Sequence, residues 1–272
     1  MYPVPTTLSP SRVDSFLKCP LAFRFSSIEH LPEPPSAPAT KGSLVHRALE
    51  LLLALPAAER TRAAGDECFE QAAAEYLSDP DFTGLHLSDA ESAEFFADAR
   101  RLAQGYFDIE NPTDVQPVGL ELRVEAPVGD VLLRGIIDRL ELDAEGRYVI
   151  TDYKSSTAPP PAYQAEKFHQ LQSYAYMVEH VYGQRPATLR LMYLRCGSVI
   201  SSTPTGPSLR AAANRTTAVH QAVATACSTG NFAAKRSNLC SYCFFKDWCP
   251  EFGGNPEAAR AEVPIRLAER AG

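Results

Sequence analysis

The chain has 272 residues, 45% of them hydrophobic, and a formal net charge of −7. This apolar fraction is typical of a globular protein with a sizeable core, so the composition argues against a disordered chain. The acidic charge argues against a broad basic surface for non-specific nucleic-acid binding, but it allows a local basic channel. Without an apolar run of about 18 residues or a signal-peptide pattern, the sequence predicts a cytoplasmic protein with no membrane span.

The N-terminal part is predicted to be helical with one long loop. Ser9 and Pro10 form a typical N-cap and first-turn pair, and apolar residues follow them at helical spacing. The proline-rich stretch 30–41 predicts an extended loop. From Gly42 onward, the stretch GSLVHRALELLLAL is apolar on most of its helical surface, which predicts a buried helix.

Residues 56–117 differ from their neighbours in composition, because Ala, Glu and Asp dominate this stretch. Ser88 and Glu91 have the spacing of a capping box, in which each side chain accepts a hydrogen bond from the other residue's backbone N–H. We therefore predict a helical insertion over these residues.

Three strands joined by short turns are predicted next. The segments GLELRVEAPV, VLLRGIIDRLEL and RYVITDYK have strand patterns and are separated by Gly129-Asp130 and by residues 143–146. A helix over 164–182 follows, ended by Gly183, and ATLRLMYL then resumes a strand. This order predicts an α/β fold whose central mixed sheet is flanked by helices.

Charged residues end the strand YVITDYK. Alternate residues of a strand face the same side, so Asp152 and Lys154 point together, and Asp138 on the preceding strand comes near them if the two strands pair. Two converging carboxylates repel each other unless a cation lies between them, and oxygen ligands suit Mg²⁺ or Mn²⁺. Lys154 can then orient a water or stabilise charge on a phosphate oxygen, whereas a role as base requires a lowered pKa. The pattern indicates metal-assisted phosphodiester hydrolysis.

Each candidate residue also has an ordinary structural explanation. A D-x-K tripeptide alone is commonly a surface ion pair, and His46 alone is commonly a helix-start residue with a satisfied hydrogen bond. Gln170 and Tyr174 share one helix face, on which tyrosine is commonly core and glutamine commonly surface. Glu121, on the outward face of its strand, is either a further acidic contributor or simply solvated, and we favour a solvated or supporting role. The combination of these residues, rather than any one of them, indicates a functional site.

Four segments resemble the motifs of a known family. GSLVHRALE, GIIDRLEL, ITDYKSS and FHQLQSYAY occur in the order seen in the RecB-like branch of the PD-(D/E)xK nuclease superfamily, although Ile137 stands where that family usually has proline. The resemblance implies a restriction-endonuclease-like core. It implies catalytic roles for Asp138, Asp152, Lys154, Gln170 and Tyr174, and metal ligation by His46, Asp138, Asp152 and the backbone carbonyl of Tyr153.

Three of the seven cysteines are close in sequence, as Cys240-x2-Cys243-x5-Cys249. Three close thiolates need a fourth ligand to complete a zinc site or an iron–sulfur cubane, and ligand type alone favours neither metal. Cys19 is the better candidate for that ligand, because it follows a predicted helix. The other single cysteines are predicted to be buried apolar residues in helices or strands: Cys68, Cys196 and Cys227.

The cysteine pattern resembles that of RecB-like nucleases with an iron–sulfur staple, including AddB and the nucleases of CRISPR adaptation. These proteins place one cysteine before the nuclease core and three after it. The resemblance implies a 4Fe-4S cluster held by Cys19, Cys240, Cys243 and Cys249, with zinc as the alternative. Such a staple closes a loop of about 220 residues, so we predict a structural role first and DNA-end engagement second.

The resemblance also implies a domain organisation. It implies one nuclease domain over residues 1–272 that contains the helical insertion at 56–117. The catalytic sheet and the Gln-x-x-x-Tyr helix occupy 118–200, and the cysteine segment 227–255 pairs with Cys19.

We predict a Mg²⁺- or Mn²⁺-dependent DNA nuclease, an exonuclease acting on single-stranded ends in DNA repair, recombination or a related pathway. The predicted partner is DNA, chiefly single-stranded. The sequence has no P-loop motor motif, so any unwinding would come from a separate helicase. The alternatives are a catalytically silent DNA-binding subunit of a helicase–nuclease complex, a CRISPR-adaptation nuclease, and a zinc-dependent interaction module in which D-x-K is a coincidence.

Overall fold

A six-stranded mixed sheet organises the computed structural model, which describes residues 1–271 and the side chains through Ala268. The strand order is β1-β3-β4-β5-β6, and β2 pairs with β3. The β1–β3 and β4–β5 pairs are parallel, whereas β3–β4 and β5–β6 are antiparallel. The strands are β1 (Thr7–Leu8), β2 (Gln116–Val128), β3 (Val131–Leu142), β4 (Tyr148–Lys154), β5 (Thr188–Tyr193) and β6 (Ser198–Ser202).

Helices flank the sheet, which confirms the predicted α/β fold. None of the helices within residues 1–271 is both long enough and apolar enough to cross a membrane. The α-helices are α1 (Pro10–Lys18), α2 (Pro20–Phe23), α3 (Ala37–Ala54), α4 (Arg62–Tyr76), α5 (Pro80–Thr83), α6 (Asp89–Gly105), α7 (Gln164–Lys167), α8 (His169–Tyr182), α9 (Gly206–Thr229) and α10 (Ala259–Ala271).

Three helix ends form as the sequence predicts. The Ser9 side chain accepts the Arg12 N–H and caps α1. Ser88 and Glu91 form the reciprocal capping box of α6. The helix α8 ends at a left-handed glycine, Gly183, with φ of 70°. These ends are encoded locally, because each needs only residues within one turn.

Two predicted boundaries are wrong. The predicted loop 30–41 turns helical at Ala37, where α3 begins. Pro38 is compatible with this helix start, because N–H groups in the first turn have no partner within the helix and the N–H that proline lacks is not required there. The predicted single helix over 164–182 is interrupted at Phe168, a buried residue that separates α7 from α8.

The chain divides into two compact units. The first comprises residues 1–34 and 125–134 and the part from 213 onward, and it contains β1 paired with Leu132 and Leu133 of β3. The second comprises 35–124 and 135–212 and contains β4, β5 and β6 together with the longer parts of β2 and β3. The predicted assignment of residues 1–272 to one nuclease domain with an insertion at 56–117 stays a prediction.

The core of the second unit holds helix α3 in place. The α3 residues Leu44, Leu49 and Leu52 are at most 2% exposed and pack in one cluster with residues of α4 and α6 and with Tyr153 and Met192 of the strands. Burying each leucine contributes about 1.5–3 kcal/mol. The half-buried residues of α3, including the histidine discussed below, are therefore carried on a firmly packed helix.

Candidate active site

Strands β3 and β4 pair as predicted and bring two carboxylates to one place. Their ladder runs from Leu142–Tyr148 to Arg139–Thr151. Next to that last pair, the Tyr153 N–H donates to Asp138 Oδ2 at 2.8 Å. The Asp138 carboxylate thus accepts a main-chain hydrogen bond at the edge of the ladder.

Asp152 and Lys154 form the buried pair that the strand spacing predicts. Asp152 is 3% exposed, and its Oδ2 lies 2.5 Å from Lys154 Nζ. This contact is a charge-assisted ion pair, and Oδ2 has no other hydrogen-bond partner among the described residues. Burial lowers the pKa of Lys154, but Asp152 and Asp138 outweigh it, so the pKa is raised overall and the ammonium stays charged.

His46 projects from α3 toward the same carboxylates. Its Nδ1 lies 3.5 Å from Asp138 Oδ2 and 3.6 Å from Glu121 Oε1, and its Nε2 lies 3.2 Å from the Tyr153 carbonyl oxygen. Burial lowers the pKa of His46, but Asp138, Glu121 and Asp152 together raise it to about 9. The imidazole is therefore protonated at neutral pH in the metal-free protein.

Glu121 joins this group because its backbone is irregular. The sequence favours a solvent-facing or supporting role for Glu121, whereas the structure places its carboxylate beside His46 and Asp138, as a further acidic contributor. Glu121 has φ of 42°, a value uncommon for any residue but glycine. The burial alternation of β2 is interrupted between Gly119 and Leu122 and is regular again from Arg123 onward. The ligand atoms of His46, Glu121 and Asp138 consequently lie within 4.8 Å of one another.

The electrostatics of this group fit a divalent cation. Burial and the charge of Asp152 raise the pKa of Asp138 to about 7, against an opposing effect of His46. Asp138, Asp152 and Glu121 thus share a half-buried site. Without a cation, bound protons neutralise part of the negative charge of this site. An imidazole nitrogen with several carboxylate oxygens, one of them the buried Asp152 Oδ2 that has only Lys154 as partner in the described part of the chain, is a donor set that suits Mg²⁺ or Mn²⁺.

The predicted Gln170–Tyr174 pair faces the acidic group. Gln170 Nε2 donates to the Tyr174 hydroxyl at 2.8 Å. Burial, together with Asp152 and Asp138, raises the pKa of Tyr174 well above its usual value, so this hydroxyl stays neutral. The ring packs so closely on Gly135 that a Cβ there would lie 2.6 Å from Tyr174 Cε1. Sequence reasoning missed Gly135, although its place within GIID was the available signal.

The four predicted cluster cysteines line one cavity of about 360 Å³ in the first unit. The Ser237 N–H donates to Cys240 Sγ at 3.3 Å. Burial raises the pKa of Cys243 and of Cys249, and the neighbouring thiols add to the effect. Cys19, Cys240, Cys243 and Cys249 therefore share the lining of one cavity. Of the three cysteines predicted to be buried, Cys68 and Cys227 are buried, but the prediction is wrong for Cys196, which is exposed in a turn.

Comparison with known proteins identifies the family. The chain matches the model of the PD-(D/E)XK nuclease superfamily over residues 7–250. No curated protein matches it. Among the solved structures similar to it is one described as "Crystal structure of SSO0001", with 14% identity, a TM-score of 0.43, and coverage of 90% of this chain and 86% of that chain. By the family match, the chain belongs to the PD-(D/E)XK nuclease superfamily, a group of phosphodiester hydrolases that use divalent metals.

Proposed function

We propose that the chain is a Mg²⁺- or Mn²⁺-dependent deoxyribonuclease that acts on the ends of single-stranded DNA in repair, recombination or a related pathway. The observation that carries this proposal is the group of His46, Glu121 and Asp138, with ligand atoms within 4.8 Å of one another, together with the buried Asp152. The proposed metal ligands are His46, Asp138, Asp152 and the Tyr153 carbonyl, with Glu121 as an additional carboxylate.

A divalent cation at this site would supply an acidified water and charge stabilisation for phosphodiester hydrolysis. Lys154 contributes a fixed positive charge rather than a base, because its pKa is raised. That charge can stabilise the negative charge that develops on a phosphate oxygen. Tyr174 and Gln170 offer a neutral hydroxyl and an amide beside the carboxylates, and we assign them to orienting the DNA strand.

The test is cleavage of single strands labelled at the 5′ or 3′ end, with Mg²⁺ or Mn²⁺ present. Asp152→Asn and Lys154→Met each remove one charge, and each should reduce cleavage by about 100-fold or more while the fold survives. Lys167→Ala changes an exposed lysine of α7 and serves as the matched control. Undiminished cleavage by both site variants would refute the proposal. Wild-type protein that binds DNA but never cuts it would instead support the catalytically silent subunit.

Support for a DNA partner comes from four cations that line the cysteine cavity, which we call the basic rim: Lys18, Lys235, Arg236 and Lys246. One carboxylate, Glu251, lines the same cavity, so the rim is locally positive in a chain of net charge −7. Tyr242 beside it is 88% exposed. Cations that follow a backbone, with an exposed aromatic ring for base stacking, are typical of sites for single strands.

The basic rim can be tested by the salt dependence of single-strand binding. Replacing Lys246 and Arg236 by alanine should reduce the slope of log K against log salt by about 0.7 for each phosphate contact removed. Tyr242→Ala should weaken binding by about 1–3 kcal/mol with little change in that slope. Lys167→Ala is again the control. An unchanged slope in the double variant would place the DNA elsewhere.

We further propose that the four cavity cysteines hold a 4Fe-4S cluster of the kind seen in AddB-type or CRISPR-adaptation nucleases, with zinc as the alternative. The one-plus-three spacing supports iron–sulfur, and the Ser237 N–H donated to Cys240 Sγ is the type of hydrogen bond that tunes cluster sulfurs. Anaerobic purification should give a brown protein with four irons per chain, and Cys240→Ser should lower the iron content. A colourless protein with stoichiometric zinc would establish the alternative.

A further inference from the structure

A buried network of charges lies on the opposite face of the sheet from the acidic site. Asp138 and Arg139 are consecutive in β3, so their side chains point to opposite faces. Arg139 is fully buried. Its guanidinium donates to Tyr153 Oη at 3.0 Å, Tyr106 Oη at 3.3 Å, Glu141 Oε1 at 3.0 Å, Thr151 Oγ1 at 3.3 Å and Glu110 Oε1.

A second arginine completes the network. Arg190 of β5 donates to Glu141 at 3.2 Å and to Glu110 at 2.9 Å. Two guanidinium groups therefore face two carboxylates, and the buried charges balance. Removing one member of such a set leaves an uncompensated buried charge, so the arrangement is rigid. It joins β3, β4 and β5 to the segment that follows α6.

Tyr153 is the residue of this network that also belongs to the acidic site. Its hydroxyl accepts from Arg139, and its ring packs edge-on against the His46 ring with centroids 5.7 Å apart. Its backbone N–H donates to Asp138 Oδ2 at 2.8 Å, and its carbonyl oxygen lies 3.2 Å from His46 Nε2. A displacement of Tyr153 therefore changes the orientation of both His46 and Asp138.

We propose that the side chains of Arg139 and Tyr153 have a positioning role: they hold the ligands of the proposed metal site, including the Tyr153 carbonyl, in place from the far side of the sheet. This inference rests on the proposed metal site. Partners that orient metal ligands commonly change metal affinity by about 10–100-fold when they are removed. Loss of the Tyr153 hydroxyl should therefore weaken metal binding although that hydroxyl touches no ligand.

The chain contains a matched control. Tyr106 and Tyr153 both accept from Arg139 Nη1 and both are buried, but only the Tyr153 backbone contacts His46 and Asp138. Mn²⁺ binding to the full-length protein is measured by isothermal titration and by electron paramagnetic resonance, without substrate. Tyr153→Phe should raise the Mn²⁺ Kd about tenfold, whereas Tyr106→Phe should leave it within about twofold.

Equal Mn²⁺ affinities in the two phenylalanine variants would overturn the inference. A wild-type protein that binds no Mn²⁺ would overturn the proposed metal site itself, and this outcome is distinguishable from the first. Arg139→Lys keeps the charge but lacks the planar fork needed for several acceptors. In this variant, adding Tyr153→Phe should weaken Mn²⁺ binding by less than it does in the wild type. If the effects of the two substitutions on Mn²⁺ binding are fully additive, Arg139 does not act through Tyr153.

Discussion

Adding one methyl group at Gly135 tests the close packing of β3 against α8. In Gly135→Ala the new Cβ would lie 2.6 Å from Tyr174 Cε1 and 3.5 Å from Met177 Cε. Overpacking of this kind destabilises the folded state by about 1–3 kcal/mol. Alanine also restricts the unfolded chain more than glycine does, which favours the folded state by about 0.4–1 kcal/mol. We expect the free energy of unfolding, measured by urea denaturation, to fall by about 1–2 kcal/mol.

The same variant should lose activity beyond its loss of stability. Tyr174 must move away from the acidic group to make room, and misplacing a site residue by about 1 Å can cost on the order of 100-fold in rate. Cleavage of labelled single strands is measured at a temperature where the variant is fully folded. An unchanged rate would show that the position of Tyr174 does not matter for catalysis.

Gly42→Ala is the matched control for stability. Gly42 lies inside α3, and a Cβ there would meet only Ser155 Oγ, at 3.8 Å. The change should stabilise the protein by about 0.8–1 kcal/mol, because alanine favours a helix over glycine. The two substitutions are chemically identical and should have opposite signs. Equal signs would refute the steric reasoning at Gly135.

Three further predictions concern charge and capping. Because the pKa of His46 is raised to about 9, a bound cation must displace its proton, and the apparent Mn²⁺ affinity should increase about 50-fold from pH 7 to pH 9; a flat titration would contradict this. Arg195 and Lys41 hold the pKa of Asp98 well below its usual range, so its stabilisation is present above about pH 4 and lost as pH falls through the folded-state pKa. Asp98→Asn should accordingly cost about 1 kcal/mol in urea denaturation at pH 7 and converge with wild type in strong acid, whereas a constant difference would exclude the ion pairs as its cause. Ser88→Ala removes the α6 cap and should cost about 1 kcal/mol at pH 7, so unchanged urea denaturation would show that this cap adds nothing.

Much of the fold and part of the candidate site follow from local pattern. The period of two in YVITDYK places Asp152 and Lys154 on one face, and the following Gln-x-x-x-Tyr spacing aligns Gln170 with Tyr174. The capping box at Ser88 likewise forms from residues within one turn. These features depend on neighbours a few positions away, so the sequence alone predicts them.

Other features depend on contacts that no local pattern encodes. The positive φ of Glu121 interrupts the alternation of side chains along β2, and its carboxylate therefore lies in the acidic group. Phe168 interrupts a helix because it is buried. In both cases, packing against residues far along the chain overrides the local preference for a regular strand or helix.

The sequence by itself determined the order of the strands β2 to β5 and of the main helices, the family motifs and the residue types of the site, whereas β1 and β6 were not predicted from it. The tertiary structure decided which of these residues meet. Arg139 reaches acceptors between 2 and 33 residues away along the chain, and Arg190 reaches Glu110 across 80 residues. Such pairings arise only when strands and helices pack, because burying a charged group is favourable only where its partners are already assembled.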